Sequence, residues 1–520
     1  MAWKTRRMRR SLPALSFLLF AALSDTASAA QAAPADRRLS QIDTVVVIYA
    51  ENRSFDSLYG RFPGADGLDH APASTLRQRD RDGSLLPELP PIWGGLTGRG
   101  VTPVVTQDMT AHLPNAPFQV DAAEGFNVPD SLRTRDLWHR FYQNRMQIDG
   151  GNNDGFVAWG NAGAMPMGNW AGAGMKMWSI ARRYTLADHF FMGAFGGSFL
   201  NHLWLICACA PVYPDAANSP AKDLIARTTP DGKALALAAN SPRSALEGPP
   251  KFVHDGNLTP DGYAVNTMQP PYRPSWNPAP EGMDAAFSDP SAPTTLPPQK
   301  DTTIGEQLTQ AGISWAWYAG AWNDALKRGL KPSPPEFQPH HQPFNYYAAY
   351  APGTAARSAH LRDGGMDGVT FLADIDAGRL PQVSFYKPQG NLDQHPGYAN
   401  ITSGDAHLAT LIEHLEHSPQ WPHMFVIVTY DENGGLWDHV APPKGDRWGP
   451  GTRIPALLIS PFVKKGHVEH TPYDTTSIQR FLNRRFSLTP LRGLVDRDAA
   501  IAAHGQRPLG DLTETLLPAP

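Results

Sequence analysis

Short apolar runs rich in β-branched and aromatic residues recur along the chain at 44–49, 313–318, 383–386, 425–430 and 453–460. They are continuous rather than alternating, which predicts strands buried on both faces. Between them, apolar residues at three- and four-residue spacing predict helices. One runs over 131–146 on Leu132, Leu137, Trp138 and Phe141, with Ser131 as its cap; others cover 175–184, 304–311 and 475–486. A further amphipathic helix reaches about His417 from a Ser403-Gly404-Asp405 cap. Strands alternating with helices argue an α/β fold with a mostly parallel sheet. Ligands of such sheets bind just beyond the carboxyl ends of the strands, so the residues immediately after each run matter most.

The 425–430 run passes directly into Asp431-Glu432-Asn433-Gly434-Gly435. Adjacent carboxylates repel, and one takes a proton unless a cation lies between them. Asp431 and Glu432 therefore read as half of a hard-metal site, or else as a hydrophilic turn closing a strand. The 44–49 run ends in Ala50-Glu51-Asn52, again a carboxylate beside an amide. If the two strands lie parallel in one sheet, both acidic ends reach the same rim. Ser198 follows Gly196-Gly197 at the head of an apolar helical run. It is placed either to cap that helix or to present its hydroxyl where backbone N–H groups and the helix dipole favour a phosphate. His340 and His341 form a pair in a proline-flanked loop, and His395 lies just past the 383–386 strand. Each suits a structural role or a contact to a ligand or phosphate.

Composition narrows this picture. A chain of 520 residues holds one large or two medium domains, and 50 Pro with 46 Gly make much of it loop. Residues of about 60–127 and 211–300 have little periodicity and read as insertions that shape the rim of a site. The formal charge of −4 includes a basic leader carrying Lys4, Arg6, Arg7, Arg9 and Arg10 against Asp25, so the remainder is more acidic still. No nucleic-acid-binding stripe is expected. That leader, residues 1–29, has the basic, apolar and Ala27-Ser28-Ala29 segments of a signal peptide, exported by a general or a twin-arginine route. Residues 30–39 are expected as a disordered arm and 40–515 as a single domain, with no transmembrane anchor after processing. Cys207 and Cys209, one residue apart in an apolar segment, are expected as buried thiols rather than as a strained disulfide.

Five motifs together carry a resemblance: Glu51-Asn-Arg-Ser-Phe-Asp56, Gly196-Gly-Ser-Phe-Leu-Asn201, His340-His-Gln-Pro-Phe344, His395-Pro-Gly397 and Thr429 through Pro443. The chain resembles the bacterial phosphoesterase family, which includes exported acid phosphatases of the A type and phospholipases C. The resemblance implies an alkaline-phosphatase-like α/β fold with a central mixed, mostly parallel sheet flanked by helices and long loop insertions. It implies one divalent ion (Ca²⁺, Mg²⁺, Mn²⁺ or Zn²⁺) held by Glu51, Asn52, Ser198, Asp431 and Glu432. Ser198 is then the nucleophile, His395 stands at the leaving group, and His340 and His341 line the phosphate pocket. Asn115 takes the place of a pocket histidine that some members carry after Leu-Pro. Serine at 198, where phospholipase members tend to carry threonine, points to an exported phosphomonoesterase working through a phosphoserine on small phosphate esters. The alternatives are a phospholipase C acting on phosphatidylcholine head groups and a secreted binding protein with a relic site.

Overall fold

The computed structural model describes residues 34–330 and 335–518, so the expected leader lies outside the described residues. Eight strands form the main sheet: β1 (Thr44–Ala50), β2 (Thr185–Ala187), β3 (Trp315–Gly320), β4 (Leu361–Gly365), β5 (Val383–Lys387), β6 (Met424–Tyr430), β7 (Ala456–Ile459) and β8 (His467–Glu469). Their order is β8-β2-β7-β6-β1-β5-β3-β4. Only β7 runs against its neighbours, β6 and β2. Every residue of β1, β3, β5 and β6 is buried, as strands covered on both faces require.

Among the helices are α1 (Phe141–Ile148), α2 (Lys176–Ala181), α3 (Ser198–Cys207), α4 (Ile304–Gln310), α5 (Val369–Asp376), α6 (Ile401–His417) and α7 (Thr475–Phe486). They pack in two groups, α2 and α5 against α6 and α4 and α7 against α3. The mixed, mostly parallel sheet with flanking helices is the predicted fold class. The central pairing matters most for function. β1 and β6 run parallel in register from Thr44↔Met424 to Ala50↔Tyr430, so Glu51 and Asp431 leave the sheet side by side.

Several local expectations are corrected. The helix expected over 131–146 begins only at Phe141. Thr134 instead bridges Thr97, and the Arg135 N–H donates to the Leu96 carbonyl at 3.0 Å, holding the preceding stretch extended against the first insertion. Ser131 caps nothing; Asn266, from the second insertion, accepts from the Phe141 N–H at 3.1 Å. Asn400, not Ser403-Gly-Asp405, caps α6, accepting from the Ser403 N–H at 2.8 Å. Asp405 faces outward from α6 and caps α2 through the N–H groups of Lys176 and Met177, at 2.7 and 3.0 Å. Pro34–Leu39, expected within a disordered arm, is a short helix in which Leu39 is buried and Arg38 donates to the Pro518 carbonyl at 3.0 Å.

Cys207 and Cys209 are joined in a disulfide, not held as thiols. The reason is local. Ala208 ends α3 in the left-handed region (φ 50°, ψ 38°), and this turn brings the two Cα atoms to 5.1 Å, inside the bridging range.

Candidate active site

Beyond Tyr430 the chain turns sharply, and the turn depends on glycine. Gly434 has φ of 63°, and a Cβ there would lie 2.5 Å from the Asn52 carbonyl oxygen. The next loop is anchored from below. Arg453, fully buried, donates to Asp438 Oδ1 at 3.0 Å and Asp56 Oδ1 at 2.9 Å, while His439 Nδ1 meets Asp56 Oδ2 at 2.7 Å. Arg453→Ala leaves two buried carboxylates without their cation and is expected to cost about 3–5 kcal/mol. Urea denaturation checks this, and a loss under about 1 kcal/mol would contradict the anchoring role.

The two strand ends then meet. Asp431 Oδ1 accepts from the backbone N–H of Asn52 at 3.1 Å and of Glu432 at 2.8 Å. Asn52 sits in the left-handed region at φ 63°, which asparagine tolerates. Ser198 is the first residue of α3, and Gly197 occupies the capping position. The capping role considered for Ser198 is therefore not the one it plays. Its hydroxyl points to the strand ends, donating to Asn52 Oδ1 at 3.2 Å, with Glu432 Oε1 at 3.5 Å.

Burial pushes the Asp431 carboxyl up to about 7, reinforced by the negative Glu51 nearby. Glu432 is raised by burial and by Asp431. Asp431 Oδ2 is buried with no hydrogen-bond partner among the described residues. A cluster of buried oxygen donors that resist ionisation and leave one oxygen unpaired fits a hard divalent cation. Asn52, Ser198, Asp431 and Glu432 are the residues that would hold it.

Glu51, the remaining expected ligand, also makes contacts of its own. Its Oε1 lies 2.9 Å from His341 Nε2, 3.0 Å from Lys387 Nζ and 3.7 Å from His340 Nε2, and Oε2 accepts from Tyr398 at 2.7 Å. Burial raises its pKa, but Lys387 and His341 outweigh that and hold Glu51 well below the usual carboxylate range. His341 falls to about 3, through burial first. His340 is lowered as well, by burial above all, and its ring lines the cleft.

That cleft, about 250 Å³, is lined by Ser198, His340, His395, Asp136, His139, Arg140 and Tyr398 together with Val265, Asn266 and Thr267 of the second insertion. His395 stacks on Tyr398 with ring centroids 4.2 Å apart, and its Nδ1 is bonded to the Pro396 carbonyl. Donation from Nδ1 fixes the tautomer and leaves Nε2 as the working nitrogen.

Asn115 lies apart from the others. Its amide donates to the carbonyls of Gln78 and Leu86 and accepts from the Gln78 N–H, holding the first insertion together, and it is absent from the cleft lining. A cleft histidine outside the expected set is His139, with Nε2 3.8 Å from Glu432 Oε1. Sequence reasoning misses it because the apolar spacing over 131–146 predicts a helix. It also misses His202, whose Nδ1 contacts the Ser198 carbonyl at 2.8 Å and lies 3.6 Å from Asp431 Oδ2. The four-residue spacing of Ser198 and His202 on one helix is the available signal. Lys387 directly follows the 383–386 run, where the strand-end rule points, whereas Asp393 and Tyr398 carry no signal in the sequence.

The family comparison supplies the class of protein, a hydrolase of phosphate esters. The family model described as "Phosphoesterase family" matches residues 42–489, and the chain belongs to that family. Phospholipase C B of Mycobacterium tuberculosis is 22% identical over 93% of this chain and 79% of its own length. Non-hemolytic phospholipase C of Pseudomonas aeruginosa is 28% identical over 40% of this chain, a match spanning only 33% of that protein. Among solved structures, an alkaline phosphatase superfamily protein from Vibrio parahaemolyticus matches at TM-score 0.24 and 14% identity, covering 38% of this chain and 50% of that one. Murine ectonucleotide pyrophosphatase/phosphodiesterase 5 matches at 0.26 and 12%, covering 60% and 89%. The protein is a phosphoric ester hydrolase.

Proposed function

We propose that the protein is an exported, metal-dependent phosphomonoesterase that works through a phosphoserine on Ser198. The observation that carries this reading is the Ser198 hydroxyl, held between Asn52 and Glu432 at the floor of a cleft that also exposes His395. When bound, the divalent ion would lower the pKa of the Ser198 hydroxyl and offset part of the phosphate charge.

The residues then divide the work. Ser198 Oγ attacks phosphorus as the bond to the leaving oxygen breaks in line, giving phosphoserine and an alkoxide. His395 Nε2 gives that alkoxide its proton. A water then attacks the phosphoserine, releasing phosphate and restoring Ser198. His340 and His139 line the pocket where the phosphate oxygens lie.

His395 is pushed below its ordinary value, by burial first, so it carries its proton only in acid. Activity is therefore expected to fall as pH rises through the mildly acidic range. His395→Asn is expected to slow alkyl phosphates by about 10²–10⁴-fold. It should slow p-nitrophenyl phosphate much less, since that leaving group needs no proton. Equal losses on both substrates would remove His395 from the acid role.

The cleft is small and mixed in character, with Phe199, Tyr398 and Val265 beside charged and polar side chains. Its small volume supports a compact monoester. The relatives' names favour a second reading, a phospholipase C cleaving phosphodiesters. Rates on p-nitrophenyl phosphate and p-nitrophenylphosphorylcholine separate the two; faster turnover of the diester would overturn the monoester reading. Export is supported by the disulfide, which persists in oxidising compartments. Among the described residues no helix is long and apolar enough to cross a membrane.

A further inference from the structure

Lys387 is the last residue of β5 and is fully buried, an unusual place for an ammonium group. Its Nζ lies 3.0 Å from Glu51 Oε1 and 3.9 Å from Asp393 Oδ2, as a charge pair rather than a directed hydrogen bond. His341 Nε2 approaches the same two carboxylates, at 2.9 Å from Glu51 Oε1 and 4.0 Å from Asp393 Oδ2. Glu51, His341 and Asp393 thus offer ligand atoms that all lie within 4.8 Å of one another. All three side chains are buried, and Asp393 Oδ2 has no hydrogen-bond partner among the described residues. One imidazole and two carboxylates at this spacing are the donor set of a divalent transition-metal site.

Two donor clusters therefore stand side by side, one of Asn52, Ser198, Asp431 and Glu432, the other of Glu51, His341 and Asp393. Among the described residues the first meets the imidazoles of His139 and His202 but pairs with no lysine or arginine; the second has Lys387 inside it. We infer that the Lys387 ammonium fills a second, buried cation position behind the cleft, so that the protein takes one divalent ion per chain and would take two without it. The inference rests on the proposed function for the first ion and adds the occupant of the second place.

An ammonium differs from a metal in what it can do. It neutralises one carboxylate charge and orients Glu51, but it has no open coordination position for a water or a phosphate oxygen. Two-metal hydrolases clamp both the attacking and the leaving oxygens with their ions. With Lys387 in one place, the leaving oxygen has no second ion, and its stabilisation falls to a proton donor such as His395.

The test is metal content. Apo protein is titrated with Co²⁺, and bound metal is read by elemental analysis beside the visible absorption of the ion. Wild type is expected to bind one equivalent. Lys387→Ala is expected to bind two, the second with an altered absorption band from imidazole ligation, and adding His341→Ala is expected to return it to one. Lys387→Arg, which keeps the charge, should stay at one. Wild type binding two equivalents, or folded Lys387→Ala still binding one, would overturn the inference. Should Lys387→Ala fail to fold, His341→Ala alone decides. Metal content stays at one if Lys387 holds the cluster, and drops if His341 is already a ligand. A wild type that binds no ion would instead overturn the metal reading of the first cluster, and Lys387→Ala gaining one would still bear out Lys387 as the occupant.

Discussion

Ser198→Ala is expected to lower kcat on p-nitrophenyl phosphate by roughly 10⁴–10⁶-fold, the range seen when a nucleophile that works as part of a unit is removed. The fold should survive. Ser198 caps no helix, and its hydroxyl meets the strand-end groups around Asn52 Oδ1 and Glu432 Oε1. Losing one such hydrogen bond costs about 1 kcal/mol, small beside the stability of a domain this size. KM should change far less than kcat, because the cleft lining that receives the phosphate is otherwise intact. If the alanine variant kept more than about a tenth of wild-type turnover, a water rather than Ser198 would be the attacking group, and no phosphoserine would lie on the path.

Stripping the metal is expected to have an effect of similar size, about 10³-fold or more, reversed by adding a divalent ion. The electrostatics add a more specific expectation. Without a cation, burial holds Asp431 near 7 and raises Glu432, so at neutral pH the empty site carries protons. Binding an ion must expel them. Metal uptake near pH 7 should therefore release protons, and affinity should weaken as pH falls. Calorimetry of the apo protein in two buffers of different ionisation enthalpy reads the release directly. Identical heats in both buffers would mean that the carboxylates are already ionised and that a fixed charge balances them.

Much of the candidate site is legible because buried strands announce themselves as continuous apolar runs, and because the residues just past their carboxyl ends are the ones brought together. The runs at 44–49 and 425–430 are β1 and β6, and their parallel register places Glu51, Asn52, Asp431 and Glu432 together. Ser198, His340 and His395 reach the same cleft. What escapes the sequence depends on contacts between distant segments. His139 is hidden because the pairing of Thr134 with Thr97 and the cap from Asn266 override the helical spacing before Phe141. Asp405 suggests a cap for its own helix, but its carboxylate serves α2. The Leu-Pro motif places Asn115 in the pocket, while its amide binds the backbone of the first insertion. The disulfide escapes because one left-handed alanine, not a residue pattern, brings Cys207 to Cys209.

The central claim is that segments far apart in the chain supply oxygens to one cation beside the nucleophile. Anomalous diffraction from crystals of the metal-loaded protein locates that cation most directly. The expected result is a single peak within about 2.0–2.6 Å of Ser198 Oγ and of oxygens from Asn52, Asp431 and Glu432. A peak well beyond coordination reach of Ser198 Oγ, or none at this end of the sheet, would contradict it.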